Sequence, residues 1–220
     1  IIGFNTFVLP TENALSRFRE KCAETLKNTS LSFDDGEQLV TQNDVLKHNY
    51  IDRQLWKAMT GKCNFAISFI TSEWFYCMYQ LTENLDLTNV VTGYLKSIEQ
   101  LLYAIISLSI DTGITIKSKE RKIVEFTREN EEIVDTTLGA LEQVLKHNNG
   151  ILDVDSYTKQ SLISIIDDWR GKQRNGYFHK HNLYSLDKVK EIRAKALQLY
   201  YLILGSLTIK DDQFKELGII

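Results

Sequence analysis

LTNVVTGYLKSIEQLLYAIISLSI, residues 87–110, decides the fold class. Leu87, Val91, Tyr94, Ile98, Leu101, Leu102, Ile105 and Ile106 recur at helical spacing over about six turns, which predicts one long amphipathic helix. Upstream, the aromatic run Phe65–Leu81, with Phe69, Trp74, Phe75, Met78 and Tyr79, reads as a core helix in preference to a ligand box. A helix begins near Asn43 or Asp44, turns Val45, Tyr50, Leu55 and Met59 inward, and is interrupted at Gly61. Residues 29–42 read as a polar loop, and a first helix follows Pro10 with the stripe Leu15, Phe18, Cys22 and Leu26.

Downstream, residues 111–127 stay ambiguous: Thr115-Ile116-Lys117 suits an extended segment and Lys117–Arg121 a basic loop. A further helix is expected from about Arg128 to Lys146, stopped by Asn148-Asn149-Gly150. Another, capped by Asp155 or Ser156, carries Leu162, Ile165, Ile166 and Trp169, and a last one runs from about Ser185 to Leu207. The expectation is an all-α, up-down helical bundle. Residues 1–84 form an N-terminal helical extension that packs on the bundle of residues 85–220, as one continuous globular unit.

The bulk properties agree. A chain of 220 residues that is 43% hydrophobic can bury one sizeable core. Cys22, Cys63 and Cys77 form no C-x-x-C pair and read as small core residues of a reducing compartment. No continuous apolar run reaches the roughly 20 residues of a membrane span, and the N-terminal residues lack the basic start of a signal peptide, so a cytoplasmic protein without membrane partners is expected. The chain opens on isoleucine, as a fragment or processed product would. Net charge is −3, but the segment Lys159–Lys195 holds nine Lys or Arg against four acids, so it is +5 on a body of −8. Such a segment can guide a phosphate chain to one place, or it can be a solvated helix face.

Within it stands Trp169-Arg170-Gly171-Lys172-Gln173-Arg174-Asn175-Gly176-Tyr177-Phe178-His179-Lys180-His181. Its glycines point to a distorted or broken backbone between two helices. That matters because residues five apart on a straight helix point about 140° away from each other. A turn at Asn175-Gly176 lets Arg174 and His179 converge. RNA is cut without a metal when its 2′-hydroxyl attacks the adjacent phosphorus. Histidine can serve as the base or the acid near neutral pH, and a fixed guanidinium stabilises the phosphoryl charge. By the family resemblance that this stretch carries, Arg174 and His179 are the candidate catalytic pair; Asn175, Arg170, Lys172, Tyr177 and Lys180 are candidate substrate-binding residues. The competing reading is structural: an Arg174 paired with Asp167 or Asp168, and a His179 at a helix start. Tyr177 and Phe178 pack the turn or stack a base, and His181 is a surface residue or a reserve catalyst. No phosphate-binding glycine loop, metal-ligand set or other cofactor pattern is found in the sequence.

Arg174-Asn175-Gly176-Tyr177-Phe178-His179, with the long helix around Tyr94–Leu102 ahead of it and another helix behind, resembles the HEPN superfamily over roughly residues 85–207. The resemblance implies a helical bundle with an Arg-x4-His ribonuclease site. It further implies a homodimer in which two copies of the motif face each other across a two-fold axis. The role it implies is that of a toxin or phage-defence effector, with RNA as substrate and an antitoxin or further domains of a longer chain as partners. Glu99 stands where such proteins often carry an acid; it pairs with Arg174 or is an exposed helix residue. Two rivals stand beside a metal-independent endoribonuclease: a non-catalytic module binding RNA or a nucleotide, and a helical protein-interaction domain.

Overall fold

The computed structural model describes residues 12–28, 46, 50–79, 85–174, 182–207 and 211–218. Their secondary structure is mostly helical: α1 (Glu12–Asn28), a 3₁₀ turn (Leu55–Thr60), α2 (Asn64–Tyr79), α3 (Thr88–Ser107), α4 (Leu138–His147), α5 (Ser156–Asp168), α6 (Leu186–Gly205) and the short α7 (Asp211–Glu216). A small antiparallel hairpin, β1 (Thr115–Lys117) with β2 (Ile123–Glu125), interrupts the helical run, pairing Thr115 with Glu125 and Lys117 with Ile123.

α3 is the central element. The stripe expected from its sequence is buried, and α2, α4 and α6 all pack against it. Gly93 permits the close approach of α2: an added Cβ would lie 1.9 Å from Ser72 Oγ, which donates to the Val90 carbonyl at 2.9 Å. The hydrophobic cluster is continuous from Cys22 to Leu217. Leu15 and Phe18 of α1 pack on it, with Phe18 edge-on to Trp74 at 5.0 Å.

Capping follows the sequence where short polar residues precede a stripe. Asp155 accepts from the Thr158 N–H at the start of α5, and Ser185 from Lys188 N–H at the start of α6. One expected helix is divided. The segment Arg128–Lys146 forms a 3₁₀ turn (Arg128–Ile133), a break, and then α4. Thr127 and Asn130 form a capping box on the 3₁₀ turn. Val134 then bridges Ser118, and Asp135 N–H bonds the Lys117 carbonyl at 2.7 Å. Backbone pairing with the hairpin thus outcompetes helix continuation there. The cysteines also divide: Cys22 is buried, whereas Cys63 is half-buried and Cys77 exposed, so only the first is the core residue expected. Burial, with Glu73 nearby, pushes the Cys22 thiol up to about 12.

Three helices are joined by one buried polar cluster. Glu73 of α2 accepts from Arg193 Nε and Nη2 of α6, both at 2.7 Å, and from Tyr94 Oη of α3 at 2.5 Å. The Arg193 guanidinium also lies over the Tyr76 ring, 5.2 Å from its centroid. Among the described residues no helix is long and apolar enough to cross a membrane.

Candidate ribonuclease motif and its surroundings

α5 does not end in an ordinary turn. Trp169–Arg174 continue it as a π-helical turn. Its i→i+5 bonding brings the backbone of residue 174 over that of residue 169, instead of leaving it on another face. Trp169 is buried, and α3 packs against this turn. A distorted backbone is therefore present at Trp169–Arg174, which includes Gly171, while the turn expected at Asn175-Gly176 lies outside the described residues. Arg174 is described in its backbone only, and Asn175, Tyr177, Phe178, His179, Lys180 and His181 lie outside the described residues.

The chain resumes at Asn182, and its return is held firmly. Leu183 N–H donates to Asp86 Oδ1 and to Thr88 Oγ1, each at 3.1 Å, while Leu87 N–H donates to the Leu183 carbonyl at 2.7 Å. Asp86 Oδ1 also accepts from Thr88 Oγ1 and Thr88 N–H, and these hydrogen bonds with those from Leu183 hold its carboxyl below the usual range. The described residues that flank the motif are thus held, by the π turn on one side and by the start of α3 on the other. Asp86 and Thr88 were not singled out by sequence reasoning, since they are about 95 residues from Leu183 and carry no motif of their own.

Arg170 and Lys172, the described members of the expected substrate-binding set, are both paired. Arg170 Nη2 bonds Asp167, and its Nε stands 3.4 Å from Glu142 Oε2; Lys172 Nζ is 2.6 Å from Asp168 Oδ1. Asp167 and Asp168 therefore serve these neighbours at i+3 and i+4. Burial pushes the Glu142 carboxyl up against the lowering effect of Arg170. Much of the remaining +5 segment is paired too: Lys188 and Lys195 with Glu191, Lys190 with Asp187, and Arg193 with Glu73. Glu99 is half-buried and accepts the Leu138 N–H at 3.0 Å, which caps α4.

A second basic feature lies on the hairpin. Lys117 and Arg121 make no ion pair among the described residues, and both line a groove of about 870 Å³ between the hairpin and α4, together with Arg170 and His147. The basic loop at Lys117–Arg121 was its sequence signal; the groove needed the fold. Among the described residues no three His, Cys, Asp or Glu side chains gather as a metal site. The chain matches no protein-family model, no curated protein and no solved structure.

Proposed function

We propose that this protein is a metal-independent endoribonuclease of HEPN type, with Arg174 and His179 as its catalytic pair. The observation that carries the reading is Arg174-Asn175-Gly176-Tyr177-Phe178-His179, leaving a π-distorted turn in a helical bundle and leading to the long helix α6. The chemistry suits the residues. His179 takes the 2′-hydroxyl proton or gives one to the leaving 5′-oxygen, and the Arg174 guanidinium meets the charge that builds on the phosphoryl oxygens. The products are a 2′,3′-cyclic phosphate and a 5′-hydroxyl, with no metal in the step. One histidine cannot stand on both sides of the phosphorus at once, so a homodimer that faces two motifs across one cleft supplies both base and acid. Asn175 and Lys180 serve as phosphate contacts and Tyr177 as a stacking or packing residue; Arg170 and Lys172 act more as braces of the turn, given their carboxylate partners. A toxin or phage-defence effector, acting in the cytoplasm, is the role that fits this chemistry.

Incubation of the purified protein with total RNA in EDTA, beside the His179→Ala variant, tests the reading. Cleavage by the wild type alone supports it. Intact RNA in both samples, or equal cleavage in both, overturns it; RNA bound but uncut leaves a non-catalytic binding module, and RNA unbound leaves a helical interaction domain.

A further inference from the structure

We propose that the groove between the β1–β2 hairpin and α4 holds the sugar–phosphate backbone of single-stranded RNA, with Lys117 and Arg121 on the hairpin wall and Arg170 at its inner end. The choice of RNA rests on the ribonuclease reading; the site itself rests on separate observations. Thr137, Ala140, Val144 and His147 form one face of α4 along the groove. Ten residues of helix make it about 15 Å long, room for about four nucleotides at the ~3.4 Å rise of a stacked strand.

The walls are fixed at both ends of α4. At its start, Asp135 N–H bonds the Lys117 carbonyl at 2.7 Å and Val134 bridges Ser118. At its end, Asn148 exchanges two hydrogen bonds with the backbone of Thr115, at 3.0 and 3.1 Å. The cleft is therefore preformed.

Its charge is one-sided. Lys117 and Arg121 line it with no ion pair among the described residues, against a single carboxylate, Asp135, while the paired Arg170 and His147 complete the lining. The Asp135 Oδ1 oxygen already accepts the Thr137 N–H. Arg170 keeps two nitrogens on Asp167 and Glu142, while its third, Nη1, faces Gly139, where any Cβ would lie 2.7 Å from it. No Phe, Tyr or Trp lines the groove among the described residues, so it offers mainly phosphate contacts.

Arg121 adds a further sign. It closes the hairpin turn with φ +65°, bonding its N–H to the Ser118 carbonyl at 2.8 Å. Glycine or asparagine is the ordinary occupant of that conformation, and an arginine there carries roughly 1–2 kcal/mol of strain. A strained backbone position that places in a cleft a guanidinium with no ion pair among the described residues points to a use for the charge.

The test measures binding of a labelled short oligouridine to the His179→Ala variant of the 220-residue chain, which leaves the RNA intact, as salt is varied. Lys117→Gln and Arg121→Gly are added singly and together. Two phosphate contacts on a single strand carry a slope of about −1.4 in log K against log salt, so the pair of substitutions should remove that slope and weaken binding on the order of 25-fold near 0.1 M salt. Arg121→Gly is the control for folding, because it relieves the left-handed strain and should raise the melting temperature while it weakens binding about fivefold. Unchanged affinity and slope in the double variant overturn the groove even if the wild type cuts RNA. Groove-dependent binding without any cleavage by the wild type keeps the groove and removes the nuclease. Absence of RNA binding, or equal displacement of the RNA by polyglutamate, overturns the proposal.

Discussion

Glu73→Ala should be among the most damaging single substitutions in the protein, at about 4 kcal/mol. The figure follows from what the carboxylate holds. Its removal leaves Tyr94 Oη, on a side chain with no solvent exposure, without its acceptor, which costs about 1–3 kcal/mol. It also strands the Arg193 guanidinium, whose side chain is only 21% exposed. Water reaches part of that group and the Tyr76 ring returns roughly 0.5–1 kcal/mol, so the loss falls within the roughly 3–5 kcal/mol seen when one partner of a buried ion pair is removed. For a chain of this size, about 4 kcal/mol lowers the melting temperature by roughly 8–16 °C. Glu73→Gln keeps one acceptor and should lose about half as much. The combination Glu73→Leu, Arg193→Met, Tyr94→Phe removes every charge and hydrogen-bonding group together, and should lie near the wild type or above it. Urea unfolding of the four proteins, with m-values compared, gives the answer. A Glu73→Ala loss under about 1 kcal/mol, or a triple variant as unstable as the single one, would refute the account of a desolvated pair.

Three further outcomes follow from the site and its frame. His179→Ala and Arg174→Ala should lower RNA cleavage by about 10²–10⁴-fold and 10²–10³-fold with the melting temperature nearly unchanged, while His181→Ala keeps most activity; rates and melting curves for the three variants check this. Gly93→Ala should cost about 1–3 kcal/mol through the clash with Ser72 Oγ, and Ser72→Ala should restore most of it, as read by thermal unfolding of the single and double variants. Asp86→Ala should release the far end of the motif and lower cleavage between about tenfold and 10²-fold with the bundle still folded. Because the folded Asp86 carboxyl is held below its ordinary value, its contribution is complete above the ordinary carboxylate range and lost only as the pH falls through the lowered value. The protection factor of the Leu183 amide, corrected for the intrinsic exchange rate at each pH, should therefore be high at neutral pH and fall on acidification; equal protection in wild type and Asp86→Ala at neutral pH counts against the anchor.

The helices were legible where one face is apolar and one short polar residue precedes it. Residues 87–110, Asp155 and Ser185 each declared themselves in that way, because a helical period and an N-cap are local properties. The segment Arg128–Lys146 did not, because the partner that breaks it is the hairpin, 10 to 20 residues upstream. The pairing of Glu73 with Arg193 spans 120 positions, so neither residue differs in sequence from a solvated helix charge. The aromatic run of α2 was legible as a helix but less so as core: Phe69 is enclosed, whereas Met78 is 48% exposed.

Charge shows most clearly how sequence and fold divide the work. The +5 segment, taken alone, draws attention to Arg170, Lys172 and the lysines of α6. Folding gives Arg170, Lys172, Lys188, Lys190, Arg193 and Lys195 carboxylates within 4 Å, several of them at i+3 or i+4 where neighbours on one helix face meet. Exposed pairs of this kind contribute little to stability, yet each neutralises a cation that would otherwise reach a phosphate. The hairpin does the opposite. A β-strand and a left-handed turn residue leave Lys117 and Arg121 without an ion pair among the described residues, and both line the groove beside α4. Local composition there is basic too, with four cations and one carboxylate in residues 117–122, but its meaning depends on the hairpin that the α-helical pattern around it hides. Phosphate affinity should accordingly follow substitutions at Lys117 and Arg121 more steeply than substitutions at Lys172 or Lys188. If Lys172→Gln changes the salt slope of RNA binding as much as Lys117→Gln does, pairing with Asp168 does not silence a cation in this fold, and the distinction drawn between the two basic regions fails.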